Sequence, residues 1–215
     1  MAERPSYIVR PADSASFPAA DHDAWFSADT IAWGEDPYVT RFRALWSDAA
    51  LTIRFDVSDC DPWSTMTRRD ERLWEEEVVE IFLDPARRGA GYVELEINPA
   101  NVVCDLIVRT PWPDLVSDPA WDMAGLETAV TPWRDPAAGP HGWTAVARLP
   151  WAGLRSIADV AMPPRRGDAW RFNVFRIKRP AGPQRPADDV RLLAWSPTGA
   201  PSFHVPGAFR DLVFG

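Results

Sequence analysis

Residues 50–57 read ALTIRFDV, and in this stretch leucine, isoleucine, phenylalanine and valine alternate with threonine, arginine and aspartate. Successive side chains of a β-strand point to opposite faces of its sheet, so apolar residues at every second position give a strand with one buried face. The stretch is therefore predicted to be a half-buried β-strand.

Similar signals recur along the chain. Alternating or continuously apolar runs predict six further strands: Tyr38–Leu45, Val78–Leu83, Tyr92–Asn98, Val102–Val108, Trp143–Leu149 and Trp170–Ile177. The 22 prolines and 12 glycines are spread over the sequence, as expected for turns between many short elements. Turn-rich runs stand at residues 58–62, 84–91, 135–142 and 180–186. The sequence predicts an all-β fold, an antiparallel β-sandwich of the jelly-roll or immunoglobulin-like type.

Helices are expected to be few, with at most one or two short ones. Residues 150–154, PWAGL, are predicted to form a short helix because proline is tolerated in a first helical turn. Residues 70–77 have helical propensity, but the β-branched Val78, Val79 and Ile81 follow at once. A turn that leads into a strand is therefore predicted there.

Length and charge limit the classes of function. The 215 residues are expected to form one domain over 1–215, and 46% of them are apolar, as in globular proteins. The net charge of −8 argues against nucleic acid, which basic residues must neutralise. Neither a membrane span of about 20 apolar residues nor a signal peptide is recognisable, so a cytoplasmic protein is expected. Cys60 and Cys104 are too few for a disulfide framework.

Tryptophan is the most informative residue type, with 12 copies in 215 residues. Most are expected in the core, but six stand in or beside turn-like segments: Trp25, Trp63, Trp74, Trp112, Trp121 and Trp133. An exposed indole presents a flat apolar face to a pyranose ring, while neighbouring polar groups bind its hydroxyls. Trp74 and Trp63 follow polar loops, and they are the best candidates for such a face.

Carboxylates alternate on one face of a predicted strand. Glu94, Glu96 and Asn98 share this face, and Glu80 joins them if its strand pairs antiparallel with theirs. The group is compatible with hydrogen bonds to sugar hydroxyls or with the acid and base of a glycosidase, for which Glu80 and Glu96 are the candidate pair. A solvated polar strand face is the third interpretation.

A bound metal or haem has weaker sequence support. An oxygen-ligand calcium site would use those carboxylates with three further donors: Asp59, Asp61 and Asp84. A haem would need axial ligands from a histidine, Met66 or Met123. Since no EF-hand, zinc or haem-attachment motif is present, no cofactor is predicted to be required, with a structural Ca²⁺ kept as an alternative.

Several blocks occur in a characteristic order. They are 45–48 (LWSD), 51–59 (LTIRFDVSD), 73–84 (LWEEEVVEIFLD), 92–99 (YVELEINP), 142–144 (GWT), 149–151 (LPW), 170–174 (WRFNV), 194–197 (AWSP) and the closing segment 203–214. In this order the chain resembles the family 9 carbohydrate-binding modules from about Tyr38 onward. The resemblance implies a DOMON-like β-sandwich that is a non-catalytic module of xylan- and cellulose-degrading enzymes.

In that family two aromatic residues clamp a terminal sugar. By position, the resemblance assigns Trp74 to the first clamp residue and Glu80 to the glutamate that binds hydroxyls. The second clamp residue, usually tryptophan, falls at Phe203, which offers a smaller platform.

The polar partners of the sugar differ from the family pattern. Glu96 stands where the resemblance would place a basic contact, so Arg176 or Arg109 is the candidate replacement. The predicted site has Trp74 and Phe203 stacking on the ring, Glu80, Glu96 and Arg176 binding hydroxyls, and His204 at the rim. The predicted function is non-catalytic binding of a small soluble saccharide; the alternatives are a glycosidase that uses Glu80 and Glu96, and a haem-binding DOMON-like domain.

Overall fold

The computed structural model describes residues 6–12, 22–134, 141–180, 182 and 189–215. The strands in these ranges are β1 (Ser6–Pro11), β2 (Ile31–Trp33), β3 (Thr40–Trp46), β4 (Ala50–Ser58), β5 (Val78–Asp84), β6 (Tyr92–Ile97), β7 (Val103–Thr110), β8 (Val116–Asp118), β9 (Glu127–Arg134), β10 (His141–Pro150), β11 (Ala169–Lys178), β12 (Arg191–Ala194) and β13 (Arg210–Phe214). One α-helix, α1 (Trp151–Leu154), and three short 3-10 turns, Asp23–Ser27, Leu73–Glu75 and Pro206–Ala208, lie between them.

The strands form two sheets that pack face to face. Their order is β8-β7-β6-β5-β11-β13-β1-β3-β4-β10-β9, with β12 beside β11 and β2 beside β3. The rings of Phe42 on β3 and Phe172 on β11 lie 6.0 Å apart across the space between the two faces. The predicted all-β sandwich is therefore confirmed, and α1 coincides with the predicted short helix.

Pairing departs from the antiparallel prediction at one strand. β1 runs parallel to both of its neighbours, β13 and β3, whereas the other pairs are antiparallel. The seven predicted strands are confirmed as β3, β4, β5, β6, β7, β10 and β11. Residues 73–75 form a 3-10 turn before β5, as the turn-then-strand prediction requires. Of the predicted turns, residues 135–140, 181 and 183–186 lie outside the described residues.

Two apolar clusters explain why some strands alternate between apolar and polar residues while others are buried on both faces. Leu51, Ile53, Phe55 and Val57 point into the core between the sheets, which accounts for the alternation in β4. By contrast β5 and β6 are buried on both faces, because a second cluster covers the outer side of their sheet. That cluster contains aromatic side chains from strands and from the segment after β12: Phe82, Tyr92, Phe175, Phe203 and Phe209.

Both cysteines are free thiols, Cys60 exposed and Cys104 buried. Within the part of the chain that is described, no helix has the length and apolar character needed to cross a membrane.

Gly142, at the start of β10, provides a test of the packing between β4 and β9. A Cβ atom there would lie 2.1 Å from the carbonyl oxygen of Val57 and 2.4 Å from the ring of Trp133. Gly142→Ala is expected to lower the free energy of unfolding by about 2 kcal/mol, because neither neighbour can withdraw without disturbing a paired strand. Chemical denaturation measures the change. In Gly207→Ala the new methyl group meets nothing within 4 Å, so an equal loss in both variants would contradict this explanation.

Candidate functional site

A cavity of about 270 Å³ opens on the outer face of β5, β6 and β7. Trp74, at the middle of the 3-10 turn before β5, forms part of its wall and is 38% exposed. The other apolar lining residues are Leu106, Leu115, Ile177, Leu192, Pro201 and Phe203. The polar lining residues are Glu80, Glu94, Ser117, Ser202 and His204. A mostly apolar wall with a few converging polar groups is the usual composition of a small-molecule site.

Three glutamates converge beside this cavity. The antiparallel register of β5 and β6 places Glu80 directly opposite Glu96, and Glu94 is two residues along the same face. One carboxylate oxygen of each residue lies within 4.8 Å of the other two. The predicted convergence of Glu80 and Glu96 is therefore confirmed, although like charges in direct cross-strand contact are unfavourable.

The three carboxyls are almost completely enclosed, with exposures of 2% for Glu80, 5% for Glu94 and 0% for Glu96. Glu80 Oε1 and both carboxylate oxygens of Glu96 make no hydrogen bond of ordinary geometry with the described residues. The backbone N–H of Trp74 and the carboxyl of Glu94 nevertheless lie close enough to Glu96 to affect its pKa. Because buried polar atoms are normally hydrogen-bonded, Glu80 Oε1 in the cavity wall can accept a further hydrogen bond.

Burial also changes the pKa values of the three glutamates. It raises the pKa of Glu94 to about 7. Burial, reinforced by the neighbouring glutamate charges, raises the pKa of Glu80 and of Glu96 well above the usual value. At neutral pH these three glutamates therefore do not all carry negative charge, and the protonated carboxyls can donate hydrogen bonds.

His204 lines the cavity with a partly exposed side chain. Its Nδ1 lies 3.1 Å from the hydroxyl of Tyr92, and its ring stacks on Phe82 with centroids 4.9 Å apart. Burial lowers the pKa of His204 to about 4, so the imidazole is neutral at pH 7. Its Nε2 is 4.0 Å from Glu94 Oε2, which is too far for a hydrogen bond.

Phe203 lines the same cavity as Trp74, as the predicted clamp requires. However, its ring is stacked on Phe175 with centroids 4.2 Å apart, and only 9% of the residue is exposed. Phe203 is thus a fixed wall with little free surface, whereas Trp74 offers most of the accessible aromatic surface. Their stacking on a sugar stays a prediction.

The structure does not bring Arg176 to this group. Glu80 pairs with Phe175 of β11, so the next residue, Arg176, points to the opposite face of the sheet. There its guanidinium is buried and donates to Asp59 Oδ2 at 2.5 Å and to the carbonyl oxygen of Ser58 at 2.9 Å. Arg109, the other candidate, is exposed and paired with Asp118 at 2.8 Å. Neither arginine lines the cavity.

The extra donors considered for calcium have other partners. Lys178 Nζ is fully buried between Asp59 at 2.9 Å, Asp61 at 2.9 Å and Glu77 at 2.6 Å. Asp84 accepts hydrogen bonds from two backbone amides of the turn after β5, at 3.1 and 2.7 Å. These carboxylates stabilise the fold, so they do not add ligands to the glutamate group.

The geometry also bears on the enzymatic and haem alternatives. Glu96 is sealed behind the cavity wall, so it cannot reach the glycosidic bond of a ligand in the cavity. Met123 is buried in the core between the sheets, and Met66 packs on the outer apolar cluster without lining the cavity. Neither alternative gains support from these positions.

Some lining residues were not predicted as site residues. Glu94 was recognisable, because it shares a strand face with Glu96. Leu115 precedes the three-residue strand β8, Ser117 lies at its centre, and Leu192 lies on the four-residue strand β12. Such short strands carry too little periodicity to be predicted.

A larger depression of about 530 Å³ adjoins the cavity, with which it shares Leu192, Pro201 and Phe203. Trp33 and the residues around Gly199 form its far side. A third depression, of about 480 Å³, is lined by Arg88, residues 155–160 and Met162, none of which is aromatic. The cavity beside Trp74 is therefore the best candidate for a sugar site, with room for a longer ligand toward Trp33.

Comparison with known proteins places this geometry in context. The model of the family described as "Carbohydrate-binding family 9" matches residues 18–109. An extracellular protein of Arthroderma benhamiae is 25% identical over 185 residues, which cover 81% of this chain and 78% of that protein.

Solved structures show the same fold. A protein of Bacteroides uniformis assigned to carbohydrate binding is 16% identical with a TM-score of 0.73, over 98% of this chain and 99% of that one. A family 9 carbohydrate-binding module from Caldicellulosiruptor kristjanssonii in complex with glucose is 16% identical with a TM-score of 0.68, over 98% and 96%. Its complex with cellotriose has 15% identity and a TM-score of 0.68, over 98% and 93%. At such identities the structures establish the fold.

Proposed function

We propose that the chain binds a small soluble saccharide without catalysis in the cavity beside Trp74, because the model of carbohydrate-binding family 9 matches its residues 18–109. The solved family 9 module that contains glucose has the same fold as this chain. The observation that carries the proposal is the position of the exposed Trp74 indole beside the enclosed carboxyls of Glu80 and Glu94.

Each part of the cavity has a role in this proposal. The indole of Trp74 packs on the C–H face of the ring, as aromatic side chains do with apolar surfaces. Glu80, Glu94 and Ser202 exchange hydrogen bonds with ring hydroxyls, since each lines the cavity. The sugar exchanges hydrogen bonds with water for hydrogen bonds with the protein, which gives little net free energy of binding. The dissociation constant is therefore expected in the range of about micromolar to millimolar.

The proposal needs neither a catalytic group nor a cofactor. A glycosidase needs two accessible carboxyls on either side of the scissile bond, and Glu96 is fully enclosed. The apolar walls and the carboxyls supply the contacts that a neutral sugar needs, so no metal ion has a part in its recognition.

The test is isothermal titration calorimetry against neutral mono- and oligosaccharides that include glucose and the cello-oligosaccharides. At least one sugar is expected to bind the native chain, and Trp74→Ala is expected to weaken it by about tenfold or more, because the stacking surface is removed. Phe26→Ala is the control, since Phe26 is 89% exposed and does not line the cavity. Unchanged binding in Trp74→Ala would place the site elsewhere, and no binding by any sugar would refute the function.

A further inference from the structure

The described residues contain three convergent groups of acidic and thiol side chains: Asp59 with Cys60 and Asp61, Asp70 with Asp105 and Asp122, and Glu80 with Glu94 and Glu96. The first group surrounds Lys178 and contacts Arg176. Arg69 forms ion pairs with all members of the second. In the ranges that the structure describes, the glutamate group alone has neither lysine nor arginine at ion-pair distance.

His204 does not supply the missing cation. Its Nε2 lies 4.0 Å from Glu94 Oε2, and the imidazole is neutral at pH 7 because burial lowers its pKa to about 4. Glu80 Oε1 and the two oxygens of Glu96 also make no hydrogen bond of ordinary geometry with the described residues. Ionising a buried carboxyl without a partner is costly, so a ligand that brings both hydrogen-bond donors and positive charge is favoured here.

We infer that the ligand carries the positive charge that the glutamate group lacks. The sugar bound beside Trp74 is an amino sugar, and its primary ammonium group lies against Glu80 and Glu94, with Glu96 behind them. This inference rests on the proposed function. An ammonium group has three N–H donors and one positive charge, whereas a hydroxyl has one O–H donor and no charge. Hydrogen bonds between charged groups are roughly twice as strong as neutral ones, so the acidic end of the cavity favours the amine.

The shape of the cavity supports an organic ligand over a bare metal ion. The space in front of the carboxyls is about 270 Å³ and is bordered by Trp74, Leu106, Ile177 and Phe203. A metal ion would fill a small part of this volume and would leave those apolar walls uncovered. A sugar ring covers the walls and places its substituent at the carboxyls.

Calorimetry at pH 7 with matched ligands tests the inference. Glucosamine and its β-1,4-linked dimer are compared with their N-acetylated counterparts, which keep the ring but lose the charge, and with glucose and cellobiose. The amino sugars are expected to bind the native chain about tenfold more tightly than either neutral set. Glu94→Gln should reduce this preference to about threefold or less, because the amide keeps the shape but not the charge.

The control is Glu35→Gln, which removes an exposed carboxyl away from the cavity and should keep the full preference. Equal affinity for amino and neutral sugars would overturn the inference and leave the proposed function intact. Failure of every sugar to bind would overturn both. A rise in melting temperature with Ca²⁺, Mn²⁺ or Zn²⁺ alone that Glu94→Gln abolishes, without amino-sugar preference, would assign the group to a metal ion and overturn the inference.

Discussion

Lys178→Met is expected to lower the free energy of unfolding by about 3–5 kcal/mol, because it removes a buried cation that pairs with the buried carboxyls of Asp59 and Glu77. Lys178 is the single lysine of the sequence, and its ammonium contacts Asp59, Asp61 and Glu77 at 2.6 to 2.9 Å. These contacts join the end of β4 to β11 and to the start of β5. Urea denaturation of the native chain and the variant measures the loss.

An exposed ion pair is the matched control for Lys178→Met. Arg109 and Asp118 lie 2.8 Å apart on the surface, and Arg109→Gln is expected to cost less than about 1 kcal/mol since water screens such pairs. A loss below 1 kcal/mol in Lys178→Met would show that the buried cluster does not hold these strands together.

Glu94→Gln is expected to stabilise the protein increasingly as the pH rises. The pKa of Glu94 is about 7 in the folded chain against an ordinary value of 4.5, so between these values the folded state binds more protons than the unfolded state. Stability that is present below pH 4.5 is therefore lost as the pH rises through 7. From pH 5 to pH 8, the variant should gain on the order of 3 kcal/mol relative to the native chain.

Denaturation of the native chain and of Glu94→Gln at both pH values measures this difference. If the difference in stability between the two chains does not change from pH 5 to pH 8, Glu94 does not have the raised pKa that its burial implies.

Much of the sheet was predictable because its strands have buried faces. The alternation in residues 50–57 and the apolar runs at Val78–Leu83 and Tyr92–Asn98 depend on local burial, and all three are strands. The parallel pairing of β1 was not predictable, because it depends on contacts between the two ends of the chain. The short strands β8 and β12 depend likewise on neighbours that are distant in sequence.

The position of a single side chain in the site also depends on strand pairing that the local sequence does not reveal. Trp74, Glu80, Phe203 and His204 line one cavity with Glu94, and Glu96 lies behind them. Arg176 does not line the cavity, because the sheet face to which a strand residue points depends on how its strand pairs with its neighbours. Trp170, Phe172 and Val174 point into the core between the sheets, and Arg176 follows their two-residue period. Only the pairing of Phe175 with Glu80 reveals that this period leads away from the cavity.

The central claim is that a saccharide occupies the cavity beside Trp74, and a nuclear magnetic resonance titration of ¹⁵N-labelled protein tests it most directly. The indole Nε1–H signal of Trp74 is identified as the one that Trp74→Phe removes, and the strongest-binding sugar is then added. This signal and the amide signals of Ser202, Phe203 and His204 are expected to shift together, while the amide of Phe26 stays in place. Shifts confined to residues outside the cavity, with the Trp74 signal unchanged at saturation, would contradict the central claim.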